Sequence, residues 1–347
     1  MQTGRSRSLT AALAAALVLA ACGKEPKPGA AANGAAAPGG VDHITIAMIA
    51  KASTNPLFLV GRNGAEAAAK ELSAKDSTLK VDVVWMTPPQ EDGQVQAQRI
   101  AQAVNEGVDA VLISASDAGK VAGAIDDAVA RGVAVMTFDS DVPQSKRFAY
   151  YGVDDEKVGR QVMSNLAELM HGKGTVAILA GNQNAPNLQR RTQGVRDEAA
   201  KYPGIKIVDA FHHAETPQDA AAEVVRVDNA YPNVNGWAMI GGWALFTKSL
   251  LTDLDPSKMT VVSVDGLPAE LPYVERGIAP VLLAQPVYDW GYVGVKTIVD
   301  KLHYHKNVPE IIPMETVKVT KDNLGDWART LKSWGFDNVP QKYLDMK

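Results

Sequence analysis

The chain has 347 residues, a formal net charge of -4 and a single cysteine. At 46% hydrophobic it can bury a large core, which excludes a disordered chain, and its mild acidity excludes a strongly basic nucleic-acid binder. One thiol excludes an intramolecular disulfide framework and any cysteine-rich metal site.

Residues 1–21 read as a signal peptide. Arg5 and Arg7 form a basic start, and Leu9 to Ala20 is apolar but too short to span a bilayer. The run ends in Leu19-Ala20-Ala21-Cys22, which resembles a bacterial lipobox. That likeness implies cleavage before Cys22 and lipidation of its thiol, so the lone cysteine becomes an anchor. Residues 22–41 are rich in Ala, Gly and Pro and read as a lipidated flexible tether. Removing 1–21 deletes two arginines and no acid, so the mature chain is more acidic still.

The folded part starts near His43 and alternates strands with helices. Ile44 to Ile49 is a buried-strand pattern, Phe58 to Leu72 is helical, and Val81 to Trp85 is a strand. Asp92 to Glu106 is helical, Ala110 to Ile113 is a strand, and Asp117 caps a helix that stops at Gly132. Val133 to Phe138 follows as a strand. Near-continuous apolar strands of this kind predict parallel sheets covered on both faces.

The pattern then restarts. Val158 to Met170, Leu188 to Lys201 and Ala220 to Asn229 read as helices. Thr175 to Leu179, Ile205 to Ala210, Trp237 to Ile240, Thr260 to Val264 and Ala279 to Ala284 read as strands. These are too many for one compact sheet and predict two α/β lobes. A weak internal repeat agrees: Asn55 leads into a helix with Gly64-Ala-Glu66, and Asn187 leads into one with Gly194-Val-Arg196.

No G-x-S-x-G elbow, Walker loop or H-E-x-x-H motif is present. Gly172-Lys-Gly174 precedes its strand instead of following it, so it reads as a helix end and not as a dinucleotide fingerprint. His212-His213 and His303-Tyr304-His305 have poor chelating geometry and read as surface residues. The sequence calls for no cofactor and no metal.

Polar and aromatic residues do gather at strand C-termini, the edge that open α/β sheets offer to ligands. Asn55 and Phe58 follow the first strand. Asp139 ends the strand before it, and Asn187, Gln189 and Arg191 follow the first strand of the second half. Trp243, Asp265 and Gln285 follow three later strands. Carboxylates, amides and a guanidinium can each pair with adjacent hydroxyls, and an aromatic ring can cover the C–H face of a pyranose. Each also has a structural reading: Asp139 and Asp265 as loop caps, Asn55 as a turn residue, Phe58 and Trp243 as core. Spacing does not separate Arg190 from Arg191. Trp85 and Trp237 read as core.

At these residues the sequence resembles the type I periplasmic sugar-binding proteins of the ribose/galactose-binding family. Ala47 through Asn55-Pro56-Leu57-Phe58 is similar to the family's first strand and Asn-Pro-Phe-Phe turn. Val135-Met-Thr-Phe-Asp139, Val262-Ser-Val-Asp265-Gly266 and Ala284-Gln285-Pro286 are similar to three more of its segments. The resemblance implies ligand roles for Asn55, Phe58, Asp139, Asp265 and Gln285. It departs at Ser140, where ribose binders carry Arg, and at Gly241-Gly242-Trp243. The family's second-lobe Arg aligns nearest Gln189, with Arg190 and Arg191 beside it. Ser140-Asp141 and Ala185-Pro-Asn187 look closer to a glucose-binding branch.

The resemblance implies two doubly wound parallel-sheet lobes joined by a three-crossing hinge. Residues 42–153 plus 286–313 would form the N-terminal lobe and 154–285 the C-terminal lobe. Residues 314–347 would pack on both. The implied function is the lipid-anchored solute-binding component of an ABC importer in the periplasm or cell envelope. It would bind a monosaccharide such as glucose, deliver it to the permease, work as a monomer and perform no catalysis. The alternatives are a sugar sensor that docks a chemoreceptor or histidine kinase, a binder of a pentose or polyol, and a sugar hydrolase.

Overall fold

A computed structural model describes residues 42–247, 251 and 254–347. The expected signal peptide, Cys22 and the tether lie outside the described residues. The first half runs β1 (His43–Ile49), α1 (Pro56–Lys75), β2 (Lys80–Trp85), α2 (Gly93–Asn105), β3 (Ala110–Ile113), α3 (Ala118–Ala130), β4 (Ala134–Phe138) and β5 (Ala149–Gly152). The chain continues through α4 (Asp155–Leu169), β6 (Lys173–Gly181), α5 (Pro186–Ala199), β7 (Gly204–His212), α6 (Pro217–Ala230) and β8 (Gly236–Met239). After a 3-10 turn at Trp243–Leu245 come β9 (Thr260–Val264), α7 (Leu271–Arg276), β10 (Val281–Ala284), α8 (Val287–Leu302) and β11 (Ile311–Pro313). The last elements are β12 (Val317–Val319), α9 (Leu324–Ser333) and α10 (Gln341–Leu344).

The strands form two six-stranded sheets, ordered β11-β5-β4-β3-β1-β2 and β12-β10-β9-β8-β6-β7. The pairings within the first sheet are parallel. The second is parallel apart from β12, which runs antiparallel to β10 along its edge. Each sheet is the floor of one α/β lobe. The chain passes from the first sheet to the second after β5, returns after β10 at Gln285–Pro286, and passes again between β11 and β12.

The apolar strands of the first sheet divide their side chains by the period of two. Ile44, Ile46 and Met48 of β1 join a cluster with residues of α1, such as Ala65 and Ala68, and with Val295 of α8. Ala47 and Ile49 join Ile100 and Ala103 of α2 and Val121 and Ile125 of α3 on the other face. This two-sided burial is why the strands read as continuous apolar runs.

Three helices begin earlier than the apolar pattern suggests, because Pro56, Pro186 and Pro217 open α1, α5 and α6. Proline has a fixed φ and no N–H, so it suits the first helical turn, where that donor has no partner. Reading these prolines only as turn residues places the helix starts too late. Asp117 caps α3 as expected, accepting from the Lys120 amide at 3.1 Å. Gly172 takes φ +71 just after α4, which agrees with a helix end.

Two helix pairs lie in direct backbone contact. A methyl group at Gly64 of α1 would collide with the Tyr288 carbonyl of α8, and one at Gly291 would strike the Gly61 carbonyl. In the second lobe a methyl at Gly194 of α5 would strike the Glu156 carbonyl of α4, and one at Gly159 the Arg191 carbonyl. Gly64 and Gly194 are the residues that the internal repeat equates. In each lobe the first helix after the first strand thus packs, through glycine, on a helix that has just arrived from the other lobe.

Candidate functional site

The C-terminal ends of both sheets supply a buried polar network. In the first lobe β4 ends at Asp139, which takes φ +55 and is 4% exposed. Its Oδ2 accepts from Ser114 Oγ at 2.7 Å, and the Tyr150 hydroxyl donates to its carbonyl at 3.0 Å. Asn187, at the start of α5 in the second lobe, reaches across. Its Nδ2 donates to Asp139 Oδ1 at 3.3 Å, while its Oδ1 accepts from the Lys51 ammonium at 3.2 Å. These bonds join the lobes directly.

A second group gathers on the other lobe. Arg191 donates through Nε to Asp155 Oδ1 at 2.9 Å, through Nη1 to the Ile240 carbonyl at 3.1 Å and through Nη2 to Gln285 Oε1 at 3.1 Å. Gln285 Nε2 donates to Asp265 Oδ1 at 2.9 Å, and the Gly242 amide donates to Asp265 Oδ2 at 3.0 Å. Asp265 takes φ +76, like Asp139 a left-handed strand-end aspartate. Asp155 and Gln285 flank two of the chain crossings, so this group ties the hinge to the sheet ends.

Burial dominates the electrostatics. It raises the Asp155 carboxyl from 3.8 to about 6, against the opposing pull of Arg191 and Arg190. It also raises Asp265, again opposed by Arg191. Burial alone would lower Lys51 and Arg191. Glu215, Asp139 and Glu91 around Lys51, and Asp155, Asp139 and Asp265 around Arg191, outweigh it and hold both cations above their ordinary values. The site therefore keeps two buried cations among carboxylates. It offers donors and acceptors side by side, the requirement for binding vicinal hydroxyls.

Six of the nine expected residues meet in or beside this network: Asp139, Asn187, Arg191, Asp265 and Gln285 within it, and Trp243 next to Gly242. Trp243 is 4% exposed, packs against Gly181 and Gly241 and stands edge-on to His213 with ring centres 5.2 Å apart. Asn55 serves as the N-cap of α1, its side chain accepting from the Leu57 amide at 3.0 Å. Phe58 stacks in an aromatic cluster with Trp290 and Phe138, at 5.5 and 6.4 Å between ring centres, and is almost wholly buried. Gln189 lies outside the network. Its side chain is exposed and donates to the Gln183 carbonyl at 2.8 Å, because that position of α5 faces solvent while Arg191 faces the sheet ends. Of the two arginines, Arg191 is buried in the network and Arg190 is half exposed.

Lys51, Ser114, Asp155, Glu91, Asn182 and Glu215 were not singled out from the sequence. All lie after strands of the two sheets; the strand-end rule that found Asp139, applied to every recognised strand, reaches five of them, while Asp155 follows β5, which the sequence did not show. His213 is also not a plain surface residue: it is partly buried, and its Nδ1 contacts the Ala214 carbonyl at 2.6 Å.

A cavity of about 1050 Å³ opens beside the network, toward the cleft mouth. Its walls come from both lobes, by way of Glu91, Ser116, Asn182, His213 and Glu215 among others. Among the described residues no cluster of three or more His, Cys, Asp or Glu side chains is placed to hold a metal ion. No described helix is long and apolar enough to cross a membrane.

The family model for the periplasmic binding protein domain matches residues 46–306. The chain belongs to this family. Its curated relatives include a xylitol-binding protein of Mycolicibacterium smegmatis, 24% identical over 57% of this chain and 57% of that protein. A D-ribose/D-allose-binding protein of Pseudomonas aeruginosa is 30% identical over 47% of this chain and 51% of its own length. These two alignments span little more than half of each relative. Among solved structures of periplasmic binding proteins, an ABC transporter solute-binding protein from Burkholderia graminis in complex with D-arabinose superposes with a TM-score of 0.75. It is 28% identical, over 81% of this chain and 96% of that one. A glucose-galactose binding protein from Geobacillus stearothermophilus gives a TM-score of 0.75 at 26% identity, over 82% and 99%. The two-lobed α/β architecture expected from the sequence is thus the periplasmic binding protein fold.

Proposed function

We propose that this protein is the extracytoplasmic solute-binding component of an ABC sugar importer. It binds a monosaccharide between its lobes and presents the closed form to the permease. The observation that supports this reading is the buried network in which Lys51, Asp139, Asn187, Arg191, Asp265 and Gln285 converge from both lobes. A ligand with adjacent hydroxyls can exchange hydrogen bonds with carboxylates and donors of both lobes, so its binding favours closure over opening. The named ligands of similar proteins run from xylitol and D-arabinose to ribose, allose, glucose and galactose. We take a hexose such as glucose as the first candidate, and a pentose or polyol as the second. Cys22 is proposed as the lipid anchor that keeps the protein at the cell envelope, and the importer role is preferred to sensing because relatives are named as transport components.

The test is thermal unfolding of the full chain with monosaccharides and polyols. A ligand at about a hundred times its Kd adds roughly 2.7 kcal/mol to stability and raises the midpoint accordingly. Asp139→Ala is expected to abolish that rise while the ligand-free protein still unfolds cooperatively. No shift with any hexose, pentose or polyol refutes the sugar reading. Full binding by Asp139→Ala removes Asp139 from the site.

A further inference from the structure

The cleft-mouth cavity contains none of the nine residues that the sequence singled out, yet it is built as a site. Its walls come largely from the ends of five strands: Ala52 and Thr54 after β1, Gln90 to Asp92 after β2, Ser116 and Asp117 after β3, Gly181 to Asn184 at the end of β6, and His212 to Thr216 at the end of β7. Three buried side-chain atoms on these walls have no hydrogen-bond partner: Ser116 Oγ, Glu91 Oε1 and His213 Nε2. Ser116 is 1% exposed, so bulk water does not serve its hydroxyl. Leaving such groups unpaired is costly, and three around one cavity mark places where a ligand completes the bonding.

The chemistry of the three atoms limits the ligand. His213 Nδ1 faces the Ala214 carbonyl, which can only accept, so Nδ1 carries the proton and Nε2 of the neutral ring is an acceptor. Burial lowers the pKa of this imidazole and keeps it neutral. Glu91 accepts from Asn182 Nδ2 through Oε2 at 3.1 Å, which leaves Oε1 as the open oxygen of that carboxyl. Glu215 lies beside Glu91, accepts from the Asn182 backbone amide at 3.3 Å, and has its carboxyl pushed well above the ordinary range by burial and by the neighbouring Glu91, so it is held neutral. Glu91 Oε1 and His213 Nε2 therefore offer acceptors, and the Ser116 hydroxyl can both donate and accept, the mixed set that hydroxyl groups satisfy. Positive charge is already supplied, because the buried Lys51 ammonium sits in the field of Glu215, Asp139 and Glu91. A neutral group with several hydroxyls fits better than an amine. The volume, about 1050 Å³, lies at the upper end of small-molecule sites and exceeds what one pyranose fills.

We propose that the cleft mouth is a second subsite that takes the second ring of a disaccharide or glycoside whose first ring occupies the Asp139–Arg191–Asp265 site. This rests on the sugar-binding reading above. The hydroxyls of the outer ring donate to Glu91 and His213 and exchange a bond with Ser116, and Glu91, Ser116 and His213 set the preference for substituted over free sugars.

Calorimetric titration of the full chain tests it, with glucose, galactose, ribose and glucosamine set against maltose, cellobiose, lactose, melibiose and the methyl glucosides. At least one two-ring sugar is expected to bind ten times or more tightly than its own monosaccharide. Glu91→Gln and Ser116→Ala are each expected to remove most of that gain while changing monosaccharide affinity less than twofold. The inference is overturned if no two-ring sugar binds more tightly than its monosaccharide, or if both variants weaken the two classes equally. Glucosamine binding tighter than glucose, with the difference lost in Glu91→Gln, overturns it in favour of an amine. Absence of binding by every sugar overturns the importer reading itself, a result distinct from monosaccharide binding alone.

Discussion

Arg191→Ala removes the cation at the centre of the network. The side chain is 2% exposed and bonds Asp155, the Ile240 carbonyl and Gln285 at once. Its loss strands Asp155, 0% exposed, without its close cation; Arg190 Nη2, at 3.4 Å from Oδ2, is half exposed and a poor substitute. Breaking a buried pair in this way costs about 3–5 kcal/mol. A body of roughly 300 residues has an unfolding entropy near 0.6 kcal/mol per degree, so the midpoint should fall by about 5–8 °C. The loss depends on pH. Asp155 already titrates at about 6 in the wild type, above its ordinary 3.8, and without Arg191 burial is less opposed and the value climbs further. A raised carboxyl destabilises the fold where it is ionised, so the penalty is full above the folded-state value and fades as pH falls through it. The gap between variant and wild type should therefore be largest near pH 8, narrow by about 1.4 kcal/mol per unit below the variant's Asp155 value, and level off under pH 6. Urea unfolding at half-unit steps from pH 5 to 8 measures it. A loss below about 1 kcal/mol at pH 8, or a loss independent of pH, refutes the reasoning. Replacing both Arg191 and Asp155 by Leu is expected to recover most of the stability, since neither charge is then stranded.

Gly291→Ala forces α8 away from α1 and should cost about 1–3 kcal/mol in urea unfolding, with Gly64→Ala similar; neutral behaviour in both would contradict the close helix contact. Gln285→Ala should weaken ligand binding at least tenfold by calorimetry while Gln189→Ala leaves it within twofold, because only Gln285 joins Arg191 to Asp265. Glu270 is fully buried, and burial lifts its carboxyl well above the ordinary range, so the folded state favours its neutral form and loses stability as pH rises. Glu270→Gln should accordingly match or exceed wild-type stability at pH 8; a loss above about 2 kcal/mol would show that the ionised form is needed.

Much of the fold was legible because buried parallel strands announce themselves as apolar runs ending in glycine or polar residues. Ile44 to Ile49 and Thr260 to Val264 are of that kind. The short strands were not. Ala149–Gly152, Ile311–Pro313 and Val317–Val319 have three or four residues each, too few to show a pattern; the last two pair with strands remote in sequence, and Ala149–Gly152 lies between nearby β4 and distant β11. Missing β5 concealed Asp155, which follows it, and with it the partner of Arg191. Asp139, Asp265 and Gln285 were legible because each ends a recognisable strand. Which of Gln189, Arg190 and Arg191 joins the network was not legible, because they differ only in helical phase and one residue turns a side chain by about 100°. Lys51 was passed over although it lies in the turn that carries Asn55; a lysine in a loop reads as solvated until the carboxylates around it are seen.

The glycine contacts between helices have a consequence for how the molecule assembles as it is made. In the second lobe α4 and α5 are neighbours in sequence, so that pair can dock soon after both have been synthesised. In the first lobe α1 waits for α8, which lies beyond the whole second lobe. The first sheet also lacks its outer strand until β11 exists. The α4–α5 pair and strands β6 to β10 of the second lobe can therefore assemble before the first lobe gains its α1–α8 contact, although β12, the edge strand of the second sheet, is the last strand made. Contacts so remote in sequence slow folding. A chain arrested before residue 286 should hold α4 and α5 docked on β6 to β10, lacking the β12 edge strand, beside a first lobe that still lacks both α8 and β11.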